Sequence, residues 1–169
     1  MARIPPVPLD ELPPALADAV AKGLANRMLS SPVPVQVWAH RPDIAQAWLA
    51  ALETMHLHGV LDARLKELVR LRIAAITTCK ACQVARKNDD VSEEDISCLG
   101  SDDPHFSPTE QVALRYAELF AGDYLSIDDS IFKRLGEHFT AAEIVELNMF
   151  CALMLAGGRM TYVQQAYEE

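Results

Sequence analysis

From Asp62 to Ile76 the apolar residues Leu65, Leu68, Val69, Ile73 and Ile76 return every three or four positions. That interval places them on one face of a helix and fits no strand. The same spacing recurs over residues 43–58, where Ile44, Trp48, Leu49, Leu52 and Met55 share a side before Gly59 stops the run. Helix starts are marked as well. Ser92 caps a short segment, Ser107 precedes Pro108 and Glu110, and Thr140 precedes Glu143; the last two are hydroxyl caps with a carboxylate three residues on. No alternation of period two runs to any length, and nothing repeats at a solenoid period. The chain is expected to be all-α, with about seven to eight helices.

A chain of 169 residues suggests one domain with a sizeable core. Residues 1–14 hold five of the ten prolines and read as an extended arm, one that frays or lies across a neighbouring subunit. Residues 15–169 are then a single helical domain. "ALADAVAKGLANRML" has helical spacing, and "SSPVPVQVW" is expected to break it. Ala156, Gly157 and Gly158 interrupt the last helical pattern, either as a kink or close contact or as the end of that helix.

The N-terminus has no apolar core of a signal peptide, and no apolar run approaches the ~18 residues of a membrane span. The expectation is a cytoplasmic protein that uses no membrane. The net charge of −9 argues against nucleic acid, whose phosphates would be repelled. Residues 61–87 depart from that balance, with seven cations against Asp62 and Glu67, a net of +5. Such a segment suits either solvated basic faces or the holding of a thiolate or an anionic substrate.

That basic segment contains "ITTCKACQVARKND", with Cys79 and Cys82 two residues apart. In a reducing compartment a close cysteine pair is more often catalytic or metal-binding than structural. The hydroxyls of Thr77 and Thr78 are expected to cap a helix over 78–88, with Cys79, Cys82 and Arg86 on one face. Both thiols would then sit in its first turn, where free N–H groups lower a thiol pKa. Arg86 would hold a thiolate but never accept its proton. Glu67, in the preceding helix, is the sequence-near base. Three readings stay open at this point: a redox pair, a structural metal site with Cys98 and His105, and two inert small hydrophobes.

"LKELVRLRIAAITTCKACQVAR" resembles the active-site segment of the carboxymuconolactone decarboxylase superfamily, in particular its AhpD-like alkylhydroperoxidase branch. "RIPPVP", "HRPDIAQAWL" and "GGRMTYVQQA" are similar to it too, so the resemblance spans most of the chain. It implies an all-helical bundle assembled as a trimer or hexamer. It implies that Cys82 attacks peroxide, that Cys79 resolves, and that Glu67 relays the proton. The family's histidine, four residues after the second cysteine, is replaced by Arg86. The function implied is a thiol-dependent oxidoreductase that reduces a hydroperoxide or disulfide, with no cofactor or metal and with an external dithiol as reductant. The alternatives are a decarboxylase acting on an anionic ring lactone and a non-catalytic oligomer.

Other polar residues are weaker candidates. His56 and His58 end the second long helical segment and would replace the missing base only if one of them pointed inward. His138 precedes the Thr140 cap, and His40 reads as a loop residue. Cys151, Tyr116, Trp38 and Trp48 are expected to pack in the interior.

Overall fold

The structure is a computed structural model that describes residues 2–167, apart from the side chains of Lys80 and Ala81. The described residues hold nine α-helices and no strand, so the all-α expectation holds. The helices are α1 (Pro14–Ala25), α2 (Val33–Trp38), α3 (Pro42–Leu57), α4 (Ala63–Ile76), α5 (Lys80–Val84), α6 (Glu93–Ser97), α7 (Pro108–Gly122), α8 (Asp129–Gly136) and α9 (Ala141–Gln164). The chain divides into two compact units, Met1–Gly59 with Arg159–Glu169, and Val60–Gly158.

In the first unit, Leu16, Val20, Val35 and Leu49 lie at the centre of a core cluster. The proline-rich arm is extended except for one 3-10 turn at Leu9–Glu11. It lies on its own unit, because Gln36 answers it twice. The Val7 N–H donates to the Gln36 carbonyl at 3.1 Å, and Gln36 Nε2 donates to the Val7 carbonyl at 2.9 Å. His40 Nε2 donates to the Pro5 carbonyl at 2.9 Å. α1 ends at Ala25, before "SSPVPVQVW", and the later part of that segment forms a new helix, α2. Its proline falls in the first turn, where the missing N–H costs nothing, and Ser31 Oγ accepts from the Val33 N–H at 3.2 Å.

The second unit is organised around α4. Leu68, Val69 and Ile73 are fully buried, and Leu114, Ala113 and Tyr116 of α7 are buried with them. Asp62 caps α4 by accepting from the Leu65 N–H at 3.0 Å. Capping boxes at Ser107/Glu110 and Thr140/Glu143 form as the sequence implies. A third, at Ser92/Asp95, starts α6.

Arg64 ties these starts together. Its guanidinium holds Asp95 through two bonds of 3.1 and 2.6 Å, and Glu110 through a third of 2.9 Å. It also donates to the Asp90 carbonyl. One side chain of α4 thus fixes the caps of α6 and α7.

α9 runs unbroken through Gly157 and Gly158, so the reading that the helix ends at Ala156 does not hold. It is also long and apolar enough, by length and composition, to cross a membrane. No wholly apolar run approaches that length, since the longest in α9 is residues 149–158, but few charges interrupt the rest of the helix. Leu147, Phe150 and Cys151 face the interior, while Val145 and Met149 are exposed.

The Arg64–Asp95 pair gives an acid signature. Arg64 beside Asp95, helped by the Ser92 and His105 bonds, holds its carboxyl far below the usual range. The folded state therefore keeps this stabilisation above the unfolded value near ~3.9 and loses it as pH falls below that. Asp95→Asn should cost roughly 3 kcal/mol at neutral pH, since it breaks a mostly buried pair and a cap together. Urea unfolding at pH 7 and pH 3 should show that large gap shrinking in acid.

Candidate functional site

α4 and the segment after it were expected to meet through a hydroxyl cap, but the chain solves the junction differently. Thr77 closes α4, its Oγ1 donating back to the Ile73 carbonyl at 2.7 Å. Thr78 takes a left-handed conformation with φ of 54°, a turn most side chains avoid. α5 then begins at Lys80, and the Cys79 carbonyl accepts its first helical bond, from the Gln83 N–H at 2.9 Å. Cys79 and Cys82 form a disulfide with their Cα atoms 5.2 Å apart. Cys79 is buried, and Cys82 is partly exposed.

The expected helix over 78–88 ends at Val84, so Arg86 lies beyond it and shares no helical face with the cysteines. Side chains have taken the carbonyls that further turns would need. Arg70 Nη1 donates to the Cys82 carbonyl at 2.6 Å, and Arg70 Nη2 to the Ala85 carbonyl at 2.7 Å. Arg86 Nη1 takes the Gln83 carbonyl at 2.6 Å and that of Ala85 at 3.1 Å. Its guanidinium faces the exposed Glu93, with Nη2 at 2.9 Å from the carboxylate.

Glu67 is 1% exposed and Arg70 is 5% exposed. A charge this deep survives only when paired and fully hydrogen-bonded. Arg70 Nε and Nη2 grip the two Glu67 oxygens at 2.7 Å each. The Lys87 N–H adds a third bond to Glu67, at 2.9 Å. Glu67 and Arg70 therefore join α4 to the backbone at residues 82, 85 and 87. Lys87 stands beside this pair, and burial together with the neighbouring Arg70 charge pushes its amine down to about 8.

Arg70 and Lys87 are absent from the residues singled out by sequence. The signal for Arg70 was the i, i+3 spacing from Glu67, which puts the two on one helical face. Lys87 carried no local signal.

The remaining candidates sit elsewhere. His105 Nε2 bonds Asp95 at 2.9 Å, and His138 Nδ1 bonds Thr109 Oγ1 at 3.1 Å. His56 donates to the Leu52 carbonyl of its own helix at 3.0 Å, and His58 caps α3. Cys151 is fully buried, its thiol pushed up to about 12 by desolvation. Tyr116 is buried, and Asn148 donates to its hydroxyl. Trp38 and Trp48 meet edge to face with centroids 6.1 Å apart. Among the described residues no group of three or more His, Cys, Asp or Glu could hold a metal ion. A cavity of about 630 Å³ opens beside α5, lined by Leu71, Arg72, Gln83, Val84 and Cys98 among others.

Fold and site define a class: an all-helical protein in which a Cys-x-x-Cys turn is strapped to a buried glutamate one helix upstream. Residues 42–119 match the model of the carboxymuconolactone decarboxylase family. Over 105 residues the chain is 30% identical to the uncharacterized protein YnjA of Escherichia coli (strain K12), covering 59% of this chain and 58% of that protein. The chain thus spans less than two thirds of that relative.

A structure described as an alkylhydroperoxidase AhpD core, an uncharacterized peroxidase-related protein from Ralstonia eutropha JMP134, superimposes with a TM-score of 0.77 at 19% identity. The match covers 99% of this chain and 92% of that one. The debrominase Bmp8, in a variant bound to 2,3,4-tribromopyrrole, superimposes with a TM-score of 0.83 at 14% identity, over 98% of this chain and 91% of that one. Residues 42–119 thus resemble the carboxymuconolactone decarboxylase family, and the chain shares the all-helical fold of the AhpD-like structures.

The lowered Lys87 value predicts an alkaline effect. Folded Lys87 releases its proton near pH 8 and the unfolded chain near ~10.4, so between them the unfolded state binds more protons and stability rises with pH. Relative to Lys87→Met, the wild type should gain about 1 kcal/mol between pH 7 and pH 9. Paired urea titrations at the two pH values measure this, and a constant difference contradicts it.

Proposed function

We infer that the chain is a thiol-dependent oxidoreductase that reduces a hydroperoxide or a disulfide through Cys79 and Cys82. The observation that carries this reading is the pairing itself: two cysteines in bonding range, Cys79 buried and Cys82 partly exposed. That asymmetry suits an attacking Cys82 and a resolving Cys79. The match of residues 42–119 to the family model and the AhpD-like fold support it further.

In the reduced protein, the Cys82 thiolate attacks the terminal oxygen of ROOH. The O–O bond breaks, the alkoxide leaves and is protonated to ROH, and Cys82 becomes a sulfenic acid. The Cys79 thiol then attacks Cys82 Sγ, the S–O bond breaks and water leaves, giving the Cys79–Cys82 disulfide. An external dithiol returns two electrons and two protons. Glu67 accepts and hands on the thiol proton. Arg86 acts at one remove, by holding the Gln83 and Ala85 carbonyls of the segment that carries Cys82. The exposed Val145 and Met149 of α9 support assembly with further copies of the chain, as trimer or hexamer. A cytoplasmic location fits a pair that must be re-reduced.

With alkyl hydroperoxide in excess, the reduced protein should lose two thiols per turnover, both mapped to Cys79 and Cys82 by mass spectrometry. Cys82→Ser should abolish consumption. Cys79→Ser should stop after one turnover, with a sulfenic acid at Cys82 that dimedone traps. If neither cysteine is consumed faster than free thiol, the reading fails.

A further inference from the structure

Arg86, the one cation after the cysteines that stands where the family has its histidine, makes no recorded contact with either sulfur; its guanidinium is spent on Glu93 and two carbonyls. The cation in direct contact with the redox segment is Arg70, on the helix before it. Its guanidinium touches the carbonyl of Cys82 itself at 2.6 Å and that of Ala85 at 2.7 Å. It is held in place by Glu67, which binds its other edge through two bonds of 2.7 Å.

We propose that Arg70 is the positioning residue of the cysteine pair, clamping the turn that keeps the two sulfurs in bonding range and turning positive charge toward Cys82. The proposal rests on the redox reading only in taking the pair to cycle between thiols and disulfide. Three features carry it.

The first is that the clamp is specific in geometry. A guanidinium presents its N–H groups in a rigid plane, so one edge grips the Glu67 carboxylate while the other reaches two carbonyls three residues apart. An ammonium at the same place has no such fork. The second is that the clamp is buried. Arg70 is 5% exposed, so neither solvent nor salt screens it as it would a surface cation. The third is the order of charges. Arg70 contacts the Cys82 peptide, whereas the recorded bonds of Glu67 run to Arg70 and to the Lys87 N–H. The pair is neutral overall, but its positive end meets the cysteine segment. Lys87 adds a second cation beside the pair when protonated.

Two consequences separate this role from simple packing. Holding residues 82 and 85 in place favours closure of the 79–82 ring, so loss of the clamp shifts the dithiol–disulfide balance toward the dithiol. Holding a cation near Cys82 favours its thiolate, so loss of the charge slows Cys82 at a given pH.

The experiment uses the full chain and two readouts that need no peroxide: the pH profile of Cys82 alkylation by iodoacetamide, followed on the Cys82 peptide by mass spectrometry, and the disulfide equilibrium in glutathione buffers. Arg70→Lys keeps the charge and loses the fork. It should leave alkylation at neutral pH within about twofold and move the equilibrium roughly tenfold toward the dithiol. Glu67→Gln leaves the Arg70 charge uncompensated and should speed alkylation. Adding Arg70→Met to it replaces the pair by neutral groups, and should slow alkylation about tenfold relative to Glu67→Gln alone.

The proposal is overturned if Arg70→Lys has the wild-type disulfide equilibrium, if the double variant alkylates like Glu67→Gln, or if Arg86→Met shifts the alkylation profile as far as the loss of Arg70 does. Should the double variant not fold, as circular dichroism would reveal, Arg70→Lys decides through the disulfide equilibrium. A wild type that leaves hydroperoxide untouched while these shifts occur would sink the proposed function and leave Arg70 in its role.

Discussion

A buried carboxylate on α4 governs the conformation of the segment that carries the cysteines. Glu67 cannot sit 1% exposed without compensation, and Arg70 supplies it one turn later on the same helix. Taking both charges out of water costs several kcal/mol per ion, which their mutual attraction alone seldom recovers. The remaining donors of Arg70 and the free capacity of Glu67 make up the difference by binding backbone at residues 82, 85 and 87. The price of burying the pair is therefore met by the loop, and the loop in turn gets its shape from the pair. α5 is five residues long because its last carbonyls already have partners.

The same logic accounts for the basic character of residues 61–87. Those cations are neither a solvated face nor an open anion trap, since most of them are matched one by one. Arg64 meets Asp95 and Glu110, Arg70 meets Glu67, and Arg72 meets Glu118, which Ser101 also binds. Three arginines spaced along α4 thus reach three different stretches of chain. Each forms the multi-point contact that a planar guanidinium allows and an ammonium does not. α4 works as a spine that is apolar toward α7 and ionic toward the loops.

What the sequence disclosed follows from range. The periodicity of α4 and the boxes at Ser107 and Thr140 depend on residues three or four apart, and they were legible. The resemblance picked out Glu67, Cys79 and Cys82 by their spacing, and the structure joins the two cysteines to each other and Glu67 to Arg70 and the Lys87 N–H. The failures have separate causes. Thr77 and Thr78 looked like a cap, yet α4 had a stronger claim on Thr77 through the Ile73 carbonyl. Arg86 looked like a neighbour of Cys82 only if α5 continued, and what stops α5 is an arginine twelve residues before Cys82. Helix α2 was not foreseen, because the position of Pro34 within a first turn cannot be known before the turn is placed.

An arginine at the position where the resemblance implies a histidine is usually read as one cation standing in for another, but the geometry gives Arg86 a different meaning. A guanidinium holds its protons at any accessible pH, so Arg86 contributes no step in which a proton moves. It does not approach the sulfurs as a charge either, because Glu93 and two carbonyls occupy it. Under the proposed chemistry the substitution therefore removes a proton carrier and adds a loop brace, while the positive charge against the cysteine segment comes from the helix before it. If Glu67 carries the thiol proton, it does so as a carboxylate already bound on both oxygens.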